Sequence, residues 1–134
     1  MQIMGFKKYF KSLKTFEHNG EIMESCFNLV STKMASCSND GKTYIYYVKT
    51  LNQEYILEGH ESEVSKIVFD CRGNNVLTAS ADKTYRICDF DTGNCKQILK
   101  GHKDEIFSCA FNYDGDYIIS ASKDNSCKIW SRKE

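Results

Sequence analysis

Proline is absent from the 134 residues. No turn can rely on a ring-fixed φ, so turns fall to glycine, asparagine, aspartate and serine. Also missing is a run of about 18 apolar residues, so no membrane span is expected. The opening segment MQIMGFKKYFKSLK lacks the continuous apolar stretch of a secretory signal. Net charge is missing as well: 18 basic side chains cancel 18 acidic ones. A surface given over to nucleic acid needs a net basic stripe to displace counterions. No nucleic-acid partner is therefore expected. Seven cysteines (Cys26, Cys37, Cys71, Cys88, Cys95, Cys109 and Cys127) contain no CxxC pair. Zinc sites need ligands clustered at short spacing. The expectation is no metal and no cofactor, with reduced thiols acting as small apolar fillers in a cytoplasmic protein.

What the chain does have is a repeat. Sliding it by 42 residues superposes His18, His60 and His102. The same shift superposes Glu21, Glu63 and Glu105, then Phe27, Phe69 and Phe111. A hydroxyl follows at Ser36, Thr78 and Ser120, and an aspartate at Asp40, Asp82 and Asp124. Such self-similarity marks a stack of supersecondary units.

Each unit reads as short strands separated by turn residues. In the third, strands are expected near 105–111, 117–121 and 127–130, with NYDGD at 112–116 as a turn. The second adds a fourth after DTGN, at 95–99. Four short strands per unit describe one blade of a β-propeller. The fold class is all-β, and four segments follow: 1–16, repeat one at 17–58, repeat two at 59–100 and repeat three at 101–134. The first segment is expected to supply an outer or closing strand around residues 8–16. An alternative is a basic amphipathic helix with Ile3, Phe6, Phe10 and Leu13 on one face, and Lys7, Lys8, Lys11 and Lys14 meeting a membrane surface.

The His, Ser/Thr, Asp, Trp series, with GH opening the unit and IW near its end, resembles the WD-repeat family. The resemblance implies that these side chains form a structural hydrogen-bond network. The complete set is His102, Ser120, Asp124 and Trp130. Repeat two offers His60, Thr78 and Asp82, with Cys88 in place of tryptophan. Repeat one is degenerate: His18, Ser36 and Asp40 are present, Tyr46 takes the tryptophan slot, and Glu17 replaces the glycine found at Gly59 and Gly101. Residues 104–130, DEIFSCAFNYDGDYIISASKDNSCKIW, resemble the last repeat of the WD-repeat dynein assembly factors. That likeness implies an adaptor for outer-arm axonemal dynein and intraflagellar transport in cilia and flagella. Its partners would be a transport-complex subunit and outer-arm dynein, in the cytoplasm, the cilium or flagellum, and the basal body.

Propellers usually have roughly 4–8 blades, so three make an incomplete ring. Further blades are expected in cis or in trans. A fragment of a longer propeller is preferred, self-pairing and completion of another protein's ring being the alternatives.

His, Ser and Asp are also the residue types of a hydrolytic triad. A set recurring with every unit is better read as a fastening than as an active site, and no enzyme is expected. The three HxxE pairs fall at loop-to-strand junctions, where their side chains need not converge on a metal. Function then lies with loops held by a rigid scaffold. By position, Asn19, Asn39, Glu61, Ser62, Ala81, Lys103, Asp104 and Lys123 are the partner-contact candidates. A general adaptor role (ubiquitin-ligase substrate receptor, signalling or centriolar scaffold) is the alternative to the ciliary one.

Overall fold

A computed structural model describes residues 9–72 and 74–132. Strands β1 (Ile22–Phe27), β2 (Lys33–Ser38), β3 (Thr43–Tyr47) and β4 (Gln53–Leu57) form blade 1. Blade 2 comprises β5 (Val64–Phe69), β6 (Asn75–Ser80), β7 (Thr84–Asp89) and β8 (Cys95–Lys100). Blade 3 holds β9 (Ile106–Phe111), β10 (Tyr117–Ser122) and β11 (Cys127–Ser131). Strands run antiparallel, each paired with its sequence neighbour.

Register repeats with the sequence. Ser36 faces Tyr44, Thr78 faces Arg86 and Ser120 faces Lys128 across the second and third strands. An irregularity falls at one place in every first strand: Ile22/Glu24, Val64/Lys66 and the stretch opposite Ala121/Ser122. A bulge there adds local right-handed twist. The hairpin between the second and third strands is equally regular. Its last residue has a left-handed backbone: Gly41 at φ 84°, Lys83 at 74° and Asn125 at 70°. A three-residue hairpin loop needs such a position, and only glycine takes it without cost.

The core is two apolar layers, one between each pair of blades. In the first, Ala35, Cys37, Ile45 and Leu57 of blade 1 pack on Val64, Ile67, Val76 and Cys88 of blade 2. In the second, Leu77, Ala79, Ile87 and Leu99 of blade 2 pack on Ile106, Cys109, Ile118 and Trp130 of blade 3. The second set is the first shifted by 42 residues. Strand alternation sends successive side chains to opposite faces, so blade 2 feeds both layers. Each full burial of a Val, Leu or Ile side chain contributes about 1.5–3 kcal/mol.

Cysteines divide by place. Cys37, Cys88 and Cys109 are buried fillers, whereas Cys95 and Cys127 are exposed, so the filler expectation fails for those two. Burial pushes the Cys88 and Cys109 thiols up to about 12, which keeps them protonated and inert.

The strand expected at 8–16 is not formed over the described residues 9–16. Residue 8, with Lys7, Ile3 and Phe6, lies outside the described residues, and 9–16 are neither strand nor helix. No strand among the described residues pairs with this stretch; Lys14 Nζ instead donates to the Leu51 carbonyl at 2.8 Å. The helical alternative fails over the same residues, where Phe10 and Leu13 are exposed. No helix long and apolar enough to cross a membrane occurs among the described residues.

Gly41 shows how closely adjacent blades meet. A Cβ built on it lies 2.8 Å from the His60 carbonyl oxygen and 3.2 Å from that of Ser62. Gly41→Ala meets both a left-handed backbone and the next blade's backbone, and is expected to cost about 2 kcal/mol or more. Lys83→Gly, at the equivalent turn, should leave stability unchanged or raise it. Urea midpoints of the two variants check this.

Candidate functional site

The hydrogen-bond network starts from one carboxylate per turn. Asp124 sits inside the β10–β11 hairpin, where its Oδ1 accepts the Ser126 N–H at 2.9 Å and the Ser126 hydroxyl at 2.5 Å. Its Oδ2 accepts the Lys103 N–H at 3.0 Å and lies 2.8 Å from His102 Nδ1. The other ring nitrogen of His102 is 2.9 Å from Ser120 Oγ, which in turn accepts the Trp130 indole N–H at 3.1 Å. One polarity satisfies every link: indole to hydroxyl, hydroxyl to Nε2, Nδ1–H to carboxylate. The chain joins the loop before β9, strand β10, its turn and strand β11.

Blade 2 repeats it. His60 Nδ1 lies 2.8 Å from Asp82 Oδ2, and Nε2 lies 2.8 Å from Thr78 Oγ1. Asp82 also accepts the Glu61 N–H at 3.1 Å, and the Thr84 N–H and hydroxyl at 2.9 and 2.6 Å. Cys88 breaks the last link, and the Thr78 hydroxyl lies 3.4 Å from the Arg86 carbonyl. Burial disfavours the Asp82 charge. The Thr84 hydroxyl, the His60 ring and the Glu61 N–H outweigh it, holding the carboxyl below its usual range. Asp124 is held low chiefly by the Ser126 hydroxyl and the Lys103 N–H.

Blade 1 keeps only half. His18 Nε2 reaches Ser36 Oγ at 2.8 Å, and Tyr46 Oη lies 3.4 Å from Ser36 Oγ and 3.3 Å from His18 Nε2, so the phenol takes the place of the indole beside the hydroxyl. The aspartate link is lost: His18 Nδ1 is buried without a partner. Two substitutions explain it. Gly59 enters its loop at φ 132°, a conformation that Glu17 does not adopt among the positive-φ residues. Tyr44, at the position of Arg86 and Lys128, packs tilted against the His18 ring with centroids 3.9 Å apart, and its hydroxyl lies 3.4 Å from Asp40 Oδ2. Asp40 is left holding its own turn through the Lys42 N–H at 2.9 Å.

The network's chemistry is fastening. A nucleophile needs a path for substrate, but Ser36, Thr78 and Ser120 are all buried. Ser120 Oγ, moreover, already accepts the indole. Among the described residues no group of three or more His, Cys, Asp or Glu side chains has the geometry to hold a metal ion.

Fastened turns create a polar rim. The Asn39, Ala81 and Lys123 N–H groups donate to the Glu21, Glu63 and Glu105 carbonyls at 2.9, 3.0 and 2.9 Å. The turn residues are thereby brought beside Asn19, Glu61, Ser62, Lys103 and Asp104 in the preceding loops. Asn19, Asn39, Glu61, Lys103 and Lys123 are exposed; Ser62, Ala81 and Asp104 are half-buried.

The opposite rim escaped the sequence reading. Its turns are capped by Asn28, Asp70 and Asn112, again 42 apart, each of which accepts the N–H of the residue opening the next strand, or the one before it: Lys33 at 2.9 Å, Asn74 at 3.0 Å and Tyr117 at 2.9 Å. Beyond the caps stand exposed Leu29, Val30 and Tyr113. Leu29 and Tyr113 border a cleft of about 790 Å³ where the three inner strands converge, lined also by Phe27, Phe69 and Arg72. Apolar residues in the middle of a turn were the available signal.

The profile of the WD domain, G-beta repeat family matches residues 51–89 and 93–131. Together these are more than half of the chain, and the protein belongs to that family. Most of blade 1 lies outside both matches yet has the same register. A search of curated proteins finds no match. Repeats of this family on fastened turns support a protein-interaction scaffold.

Two predictions follow from the unequal networks. Asp82→Ala removes four hydrogen bonds to a carboxylate and strands the His60 ring, and is expected to cost about 2–4 kcal/mol. Asp40→Ala, which lacks the ring link, is expected to cost about 1 kcal/mol; equal losses in urea unfolding would contradict the assignment. The pH dependence is also set. Burial holds the His18 and His60 rings below the ordinary value of 6.5, against the pull of Asp40 and Asp82. Below about pH 6.5 the unfolded chain binds protons that these folded rings refuse, so stability falls with pH. Asp82 and Asp124 add a second loss as pH drops below their ordinary 3.8. A urea midpoint that stays flat from pH 7 to 5 would refute the first step.

Proposed function

We propose that this WD-repeat scaffold is an adaptor for assembly or intraflagellar transport of outer-arm axonemal dynein, working between the cytoplasm, the basal body and the cilium or flagellum. An adaptor must hold two partners at once. What supports the reading is the pair of chemically different rims on opposite ends of the same blades: charged and polar at Lys103, Asn39 and Lys123, apolar at Leu29, Val30 and Tyr113. Exposed aromatic and aliphatic anchors favour tight protein contacts, and polar rims give selectivity. The choice of dynein rests on the likeness of residues 104–130 to the last repeat of the dynein assembly factors. A subunit of the transport complex and an outer-arm dynein component are the two partners.

Affinity capture from ciliated cells tests it. The tagged chain is expected to recover both partners. Leu29→Asp with Tyr113→Asp should release one of them, and Lys103→Glu with Lys123→Glu the other. Recovery of ubiquitin-ligase, signalling or centriolar proteins, with no dynein, would assign the general adaptor role instead.

A further inference from the structure

Two cysteines face each other across the β7–β8 hairpin. Cys88 and Cys95 are Cα partners in that antiparallel pair, and both are free thiols. Their pairing follows from a register shift beside Cys88, and the equivalent shift in blade 1 sets Tyr46 opposite Gln53. Tyr46 and Gln53 hold the same two positions, 42 residues earlier. The juxtaposition is therefore built into the blade, and blade 2 has placed sulfur on both sides of it. Directly opposed residues of an antiparallel pair share a face and have Cα atoms about 4.5 or 5.5 Å apart. Both spacings fall inside the roughly 4.4–6.8 Å that a disulfide spans.

The surroundings of the two sulfurs differ. Cys95 is exposed at the start of β8, its thiol donating to the Gln97 carbonyl at 3.6 Å. Cys88 is 4% exposed and packs in the apolar layer between blades 1 and 2. Burial first, and the neighbouring Cys95 sulfur second, push the Cys88 thiol up to about 12. Such a thiol does not react first with a reagent from solvent, but it reacts second when the electrophile is already beside it. A thiol at about 12 is deprotonated in roughly one molecule per hundred thousand at neutral pH. A facing group supplies an effective concentration on the order of 10⁵ M, which offsets that deficit.

We propose that Cys88 and Cys95 form a thiol-oxidation site, closed by hydrogen peroxide into a cross-strand disulfide and reopened by thiol reductants. The Cys95 sulfur, as thiolate, attacks one oxygen of the peroxide. The O–O bond breaks, Cys95 becomes the sulfenic acid, and the hydroxide released takes up the proton that Cys95 gave to solvent. The Cys88 sulfur then attacks the Cys95 sulfur. The S–O bond breaks, and its hydroxide leaves as water with the Cys88 proton. Two thiols have lost two electrons and two protons to one peroxide, which departs as two waters. For the return, a reducing thiol attacks the exposed Cys95 sulfur, and a second thiol releases it as the reductant's own disulfide. Closure staples β8 to β7 next to the turn at 89–94. Phe90 of that turn donates its N–H to the Asn74 carbonyl at 2.9 Å, and Asp91 meets Lys33 of blade 1 at 2.7 Å. Asn74 belongs to the turn capped by Asp70, so oxidation stiffens the apolar-rim end of blade 2.

Trypsin cuts after Arg86 and Lys96 and leaves both cysteines on peptide 87–96. After brief exposure of the folded chain to hydrogen peroxide, that peptide is expected to be two hydrogens lighter and to refuse iodoacetamide. Dithiothreitol should reverse both changes. Cys88→Val, which keeps the buried site apolar, should leave Cys95 as a sulfenic acid that dimedone labels. Cys95→Ser alters an exposed residue, so it keeps the test valid if the buried variant does not fold; in it Cys88 should stay reduced. Peptide 87–96 left open, a link from either cysteine to any other cysteine, or Cys88 oxidised in Cys95→Ser overturns the proposal. The staple has a separate readout. Closure should slow hydrogen exchange of the β8 backbone amides at least about tenfold, and unchanged exchange in the closed form overturns the stiffening.

Discussion

A blade of this protein is a sheet apolar on both faces, and it is satisfied only between two neighbours. That constraint accounts for most of what the sequence spends its residues on. Blade 2 meets it, with Val64, Ile67 and Val76 on one side and Leu77, Ala79 and Tyr85 on the other, all essentially inaccessible. Blades 1 and 3 each meet it on one side. Burial of apolar area is non-directional, so it explains why sheets stack without explaining why their loops are ordered.

Order in the loops comes from the carboxylate in each hairpin. Within blades 2 and 3, the aspartate accepts N–H groups from its own turn and from the loop that enters the blade, and it orients the histidine that anchors the second strand. The second hydroxyl adds a stitch, with Ser80 and Ser122 donating to the Glu63 and Glu105 carbonyls at 2.8 Å. Buried polar groups are costly when unpaired and specific when paired. The result is a rim whose backbone is fixed while its outward side chains are free to vary. Such a rim suits recognition, since a partner then loses little affinity to ordering the loop.

Much of this was legible in the residues. A shift of 42 marked the repeating units, and alternation with turn chemistry placed strands at 95–99, 105–111, 117–121 and 127–130, each end within a residue of β8, β9, β10 and β11. Its failures have physical causes. Residues 11–15 have the repeat phase of an outer strand, but a strand needs a partner edge, and among the described residues they pair with none. The network of blade 1 was read from residue types alone. The tilted packing of Tyr44 against His18 and the missing glycine at Glu17 are features of space that spacing does not report. The apolar rim was missed because Asn28, Asp70 and Asn112 look like ordinary turn residues. Only the geometry shows that their caps push Leu29, Val30 and Tyr113 outward.

Blade 1 separates two properties that the other blades combine. It has lost the histidine–aspartate link and most of its length escapes the family profile. Even so, it keeps the register of its strands and buries Ala35, Cys37 and Ile45, where blade 2 buries Leu77 and Ala79 and leaves Ile87 half-buried. The residues that make a repeat recognisable are the polar ones of its turn, whereas those that make it stack are apolar and interchangeable in kind, as Ala35, Leu77 and Ile119 show at one position. A unit can therefore drift out of recognition while remaining a blade. What it gives up is loop fixation, so the rim above blade 1, with Asn19 and Asn39, is held by fewer bonds than the rim above blades 2 and 3.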